Sequence, residues 1–140
     1  MQTPDSTSEY LLLFRGNGWD RSLSPAELQE TMSRFMSWFQ QLSAAGTLKA
    51  GQPLLNDARI VSGKNGRTVA DGPFAESKEA VGGYFLIKAA SFDEAVAIAQ
   101  QCPTLEHGSV VEVRPIAVEC PTMHRVRHGM AQEELAPAGV

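Results

Sequence analysis

Twice in this chain a short, very apolar run leads into a serine-led helix start, and that repeat constrains the fold more than any other feature. The first run is Tyr10, Leu11, Leu12, Leu13 and Phe14, short and aromatic enough to read as a central strand buried on both faces. A polar loop over 16–21 follows, and then come Ser24, Pro25 and Glu27. Ser24 can cap the third helical amide while Glu27 reaches back to it. Pro25 fits the first turn, and Leu23 can staple against Leu28. The second run, within 81–88, leads to Ser91 and Glu94, which repeat the same box.

Apolar spacing then sets the helix faces. Leu28, Met32, Phe35, Phe39 and Leu42 recur three and four residues apart, one stripe that must lie against something. Met36 and Trp38 widen it, Gly46 is placed to end the helix, and core packing is the reading adopted for these side chains. Phe92, Ala95, Val96, Ala99 and Cys102 form the inner face expected of a second, shorter helix, which Pro103 stops. Residues 109–116 read as a last strand, with Val111 and Val113 on one face and Val110, Glu112 and Arg114 on the other. Between the repeats, 59–62 and 67–70 flank Lys64, Asn65 and Gly66, and Asn-Gly supplies the positive φ angles of a hairpin turn. Residues 52–57 are expected to be a connection.

Strand, helix, hairpin strands, strand, helix, strand is the order of an α+β fold of the ferredoxin-like, split βαβ kind. Its sheet is antiparallel, both helices lie on one face, and a β-hairpin is inserted. Since the second sheet face would remain apolar and open, a symmetric homodimer with sheets packed together is expected. The expected organisation is a disordered segment over 1–8, a domain over 9–118 and a loose tail over 119–140, where no sustained period is seen.

A chain of 140 residues fits one domain with a single core. Its formal charge of -4 argues against the clustered cations of a nucleic-acid binder. No apolar run approaches the roughly 18 residues of a membrane span, and the polar N-terminus lacks a secretory pattern, so a cytoplasmic protein without membrane contact is expected. Cys102 and Cys120 are then expected as free thiols.

Several ordered blocks carry a family resemblance. Asp71, Gly72, Pro73 and Phe74 open the first, which runs through Glu76, Lys78 and Glu79; Gly82 and Gly83 open the apolar run to Ile87; Gly108, Ser109 and Val110 open the last, through Ile116. Together with the segments around Leu23–Leu28 and Ala44–Gly46 they make residues 10–116 resemble the YCII-related proteins of the DGPF type. The resemblance implies a dimeric α+β barrel. It also implies a small-molecule function, with an acid/base pair formed in relatives by a helical His and a loop Asp. Asp71 matches that Asp, but Phe35 stands where the His would fall. DGPF-type proteins are often encoded beside extracytoplasmic-function sigma factors, which implies an accessory role with such a partner.

Candidate site residues follow. Asp71 is the first catalytic candidate, weighed evenly against turn chemistry, and Lys78, crowded by Glu76 and Glu79, is the second. Arg15, Phe74, Glu76, Glu79 and Tyr84 are the binding candidates, facing an unknown small molecule. Gly82 and Gly83 allow a close backbone approach but make no nucleotide fingerprint, and no cofactor is expected. His124 and His128 can share a helical face, yet no third ligand at convincing spacing suggests a metal. His107, a conceivable replacement for the missing helical His, is expected to be an exposed loop residue. Two functional readings stay open: a small-molecule-binding dimer with lyase- or hydrolase-like acid/base chemistry near Asp71, and a non-enzymatic accessory protein with a partner such as a sigma factor. An oxygenase reading rests on fold analogy alone.

Overall fold

In the computed structural model, which describes residues 7–16, 18–72 and 80–129, the strand–helix repeat is the frame of the molecule. The elements are β1 (Ser8–Arg15), α1 (Pro25–Ala44), β2 (Leu48–Pro53), β3 (Arg59–Ser62), β4 (Thr68–Asp71), β5 (Val81–Ala89), α2 (Phe92–Ala99), β6 (Val110–Pro115) and α3 (Pro121–His128). A four-stranded antiparallel sheet runs β2-β5-β1-β6, and β3 and β4 make a separate two-stranded ribbon. With that ribbon set aside, the pattern is strand-helix-strand-strand-helix-strand with β1 and β5 central. This is the split βαβ arrangement.

The helix starts form as their residues dictate. Ser24 accepts from the Glu27 amide at 3.1 Å and the Glu27 carboxylate accepts from the Ser24 amide at 2.8 Å, a complete capping box. These bonds hold the Glu27 carboxyl below its usual range. At α2 Ser91 accepts from the Glu94 amide at 3.0 Å, while Glu94 reaches past it to the Ala90 amide. Gly46 adopts φ +77° just beyond α1, where a side chain would be strained.

One sheet face carries the core. Tyr10 and Leu12 of β1 and Phe85 and Ile87 of β5 pack with Trp38 and Leu42 of α1 and with Ala95, Ala99 and Cys102 at α2. Both helices thus cover the same face. Leu11, Leu13, Tyr84 and Leu86 alternate to the other face and are only half-buried. In this single chain β1 is therefore covered on one face, not two.

Four sequence expectations are corrected. The stretch 52–57 read as a connection begins inside β2, an edge strand paired to β5 from Leu48↔Ile87 to Pro53↔Gly83. Its Gly and Pro masked the pattern, and both are tolerated because the strand is an edge interrupted by a register shift. The buried stripe of α1 is Thr31, Trp38 and Leu42, whereas Met32 is exposed. On α2 Phe92 and Val96 face outward, Phe92 stacking on Tyr10 at 5.8 Å. Beyond β6, residues 121–128 form the helix α3, started by Pro121, where the sequence showed no period.

The ribbon obeys its turn signal. Asn65 at φ 61° and Gly66 at φ 66° occupy the left-handed region within a five-residue loop closed by the Ser62↔Thr68 pair.

Candidate functional site

A cavity of about 450 Å³ opens between α1 and the sheet, at the end where β1 finishes and β5 begins. That size suits a small organic molecule. Its helical wall is Met32, Phe35, Met36 and Phe39, and its floor is built on Phe14 and Phe85. The rings hold one another: Phe14 meets Phe85 edge-on at 4.8 Å, and Phe35 and Phe39 lie 5.9 and 5.7 Å from Phe85. Behind them Trp38 packs on Phe14, Phe35 and Phe85.

Small residues keep the space open. A Cβ on Gly51 would come within 2.8 Å of the Phe85 ring and 3.1 Å of the Tyr84 carbonyl oxygen. One on Gly83 would lie 3.0 Å from the Gln52 carbonyl oxygen. The close approach anticipated for the glycine pair is thus strand to strand, between β5 and β2. A register shift between Phe14 and Arg15 pairs Gly83 and Val81 with successive residues of β1 and skips Gly82. The bulge breaks the regular pleat at the cavity edge.

Two hydroxyl residues enter the lining from the segment before β6. These are Thr104 and Ser109, with hydroxyl oxygens 2.7 Å apart, and Thr104 Oγ1 is also 3.2 Å from Cys102 Sγ. Burial pushes the Cys102 thiol up, so it stays protonated at neutral pH. Arg15 and Tyr84, candidates from the sequence, are among the lining residues, Tyr84 with its carbonyl oxygen beside Gly51 at a β5 position that alternates away from α1. The Arg15 guanidinium donates to Glu112 at 2.5 Å, and that bond, followed by a second from Arg114, holds the Glu112 carboxyl below its usual range.

Trp19, from the loop before α1, completes the lining and stacks on His107 with a ring separation of 6.2 Å. His107 corrects the expectation of an exposed loop residue: its side chain is 22% exposed and its Nε2 lies 3.0 Å from Thr31 Oγ1. The contact satisfies a threonine that is 1% exposed. Neighbouring Glu106 pairs with Arg34 of α1, which lowers the Glu106 carboxyl pKa.

Asp71 lies elsewhere. It ends β4 on the ribbon, its side chain 90% exposed and 3.5 Å from Arg59, its cross-strand partner. It is not among the described lining residues. The following Gly72 has a local reason: its amide donates to the Ala58 carbonyl at 2.9 Å, and a Cβ there would sit 2.3 Å from that of Ala58. Phe74, Glu76, Lys78 and Glu79 lie outside the described residues. His124 and His128 do share a face of α3, their rings 4.1 Å apart, with His124 held by Glu119 at 3.2 Å.

Of the residues singled out in the sequence, Arg15 and Tyr84 lie in the cavity lining, and the α1 wall had been read as core. The signal was the width of the helix's apolar surface: Met32 and Met36, one turn apart, lie outside the buried Thr31, Trp38 and Leu42. Nothing in the sequence pointed to Thr104 and Ser109.

The sequence model of the YCII-related domain matches residues 10–120. The chain belongs to the YCII-related domain family. Among solved structures it is similar to 5-chloro-2-hydroxyhydroquinone dehydrochlorinase (TftG) from Burkholderia phenoliruptrix AC1100, in complex with 2,5-dihydroxybenzoquinone. The match is 18% identical, covers 74% of this chain and 90% of that one, and has a TM-score of 0.38. No curated protein matches. Among the described residues no helix is long and apolar enough to cross a membrane.

Proposed function

We propose that this YCII-related protein binds a small molecule in the cavity between α1 and the sheet. The observation that carries the reading is the cavity itself: an apolar space walled by Phe and Met side chains, kept clear beside Phe85 by Gly51, with a few polar residues, Thr104 and Ser109 among them, in its lining. Such a combination is what orients a small ligand. The protein acts as a homodimer through the half-buried sheet face of Leu11, Leu13 and Leu86. A charge placed on that face by Leu13→Asp would then halve the mass seen by light scattering.

Acid/base chemistry near Asp71 and Lys78 is a further part of the proposal, supported by the family motif. Arg15 and Tyr84 are the titratable groups among the described lining residues. A thermal-shift screen against a metabolite library tests the binding, because a ligand of the native state raises its melting temperature. Hits should be lost in Met36→Trp, which fills the cavity. Hits untouched by that change, or none at all, would overturn the assignment. Loss of a hit in Asp71→Asn would bring the ribbon into the site, and an unchanged response would return Asp71 to its pairing with Arg59. The accessory reading, with a partner such as a sigma factor, is tested by co-purification with and without residues 119–140.

A further inference from the structure

We propose that the cavity takes a neutral, planar aromatic carbonyl compound, its ring against the Phe and Met walls and its carbonyl oxygen accepting from the Ser109 hydroxyl. This rests on the small-molecule reading above and names the ligand class.

The ring follows from the walls. Phe14, Phe35, Phe39 and Phe85 present faces and edges at mutual distances typical of packed aromatics. Met32 and Met36, at 38% and 46% exposure, add thioethers that adapt to a ring inserted beside them. A flat ring gains edge and face contacts here that a branched aliphatic of equal volume does not.

Neutrality follows from the charges. Arg15 is the cation among the described lining residues, and its guanidinium is already bonded to Glu112 at 2.5 Å. A carboxylate ligand would have to compete with Glu112 for it while losing its own hydration in an apolar space.

The carbonyl follows from the direction of the hydroxyl chain. Cys102, Thr104 and Ser109 are linked in series at 3.2 and 2.7 Å. Sulfur accepts hydrogen bonds weakly and oxygen well. The Thr104 proton is therefore better placed on the Ser109 oxygen, with the Cys102 thiol donating to Thr104. That ordering leaves the Ser109 proton unspent, at a residue that lines the cavity, and the complementary ligand group is an acceptor.

The test uses three probes with the full chain, followed by isothermal titration: acetophenone, ethylbenzene and benzoate. Acetophenone should bind about 3- to 10-fold more tightly than ethylbenzene, the ratio expected for one net neutral hydrogen bond, and benzoate most weakly. In Ser109→Ala, shown to be folded by its melting curve, acetophenone and ethylbenzene should bind alike, with ethylbenzene unchanged from the parent protein. Equal binding of the two neutral probes to the parent protein, a preference that survives Ser109→Ala, or tightest binding of benzoate would overturn the inference while leaving the cavity reading intact. Failure of both ring compounds to bind the parent protein would overturn both.

Discussion

The four-stranded sheet and the β3–β4 ribbon are both antiparallel, yet they stand at opposite ends of what side chains do in this molecule. In the sheet, Leu12 and Ile87 are completely buried, and Tyr10, Phe85 and Ala89 join them in the core shared with the helices. In the ribbon all residues of both strands are exposed, including Ile60, Val61 and Val69. Two strands alone are marginal in water, so the ribbon rests on its turn and its cross-strand pairs rather than on a core. The motif that most marks the family in the sequence, beginning at Asp71, starts on the ribbon, whereas the cavity is built on the sheet.

The comparison predicts a large asymmetry in stability. Leu12→Ala, which empties a fully buried position, should cost about 2–5 kcal/mol in chemical denaturation. Val61→Ala, at a residue 63% exposed, should stay within about 0.5 kcal/mol of the parent. Similar losses at the two positions would mean that the ribbon is packed against something in solution, with a second copy of the chain as the first suspect.

A sharper version concerns the glycines that shape the cavity. Gly51→Ala places a methyl group 2.8 Å from the Phe85 ring and 3.1 Å from a strand carbonyl. Phe85 must shift, at a cost of about 1–3 kcal/mol typical of overpacking. The same shift displaces the cavity floor, so ligand responses should weaken along with stability. A stability loss with undiminished ligand binding would separate the cavity from Phe85.

How much of this was legible beforehand follows the same division. Strands and helices with a local signature were readable: the Ser24–Glu27 box, Ser91, the Asn65-Gly66 turn and the apolar runs of β1 and β5. Elements whose reason is tertiary were not. β2 is a strand because β5 offers it an unpaired edge, not because its own residues favour extension. That α1 buries Thr31 and leaves Met32 exposed goes with a Thr31 contact to His107, 76 residues away in sequence. The cavity depends on where the α1 wall stops touching the sheet, and no spacing rule reports that. Arg15 ends one readable strand and Tyr84 lies within another, whereas the 2.7 Å contact of Thr104 and Ser109 spans a short helical turn after Pro103 that no local pattern announces.

The smallest expected effect contrasts two carboxylates. Glu112, on the sheet, is half-buried between Arg15 and Arg114, and its pKa lies below the ordinary 4.5 because both guanidinium groups donate to its ionised form, Arg15 foremost. A carboxyl whose pKa is depressed by folding stabilises the native state above the unfolded pKa, and loses that contribution as pH falls through the folded one. The advantage of the parent protein over Glu112→Gln should therefore be full at neutral pH, begin to shrink near about pH 4.5, and vanish in stronger acid. Asp71, 90% exposed beside Arg59, is the control: an exposed pair is screened by water and salt, so Asp71→Asn should show little difference from the parent at any of these pH values. Melting temperatures from pH 3 to 7 at low and moderate salt would check both. If Asp71→Asn showed the larger pH-dependent gap, Asp71 would be covered in solution, and the ribbon would belong with the sheet among the structured surfaces of this protein.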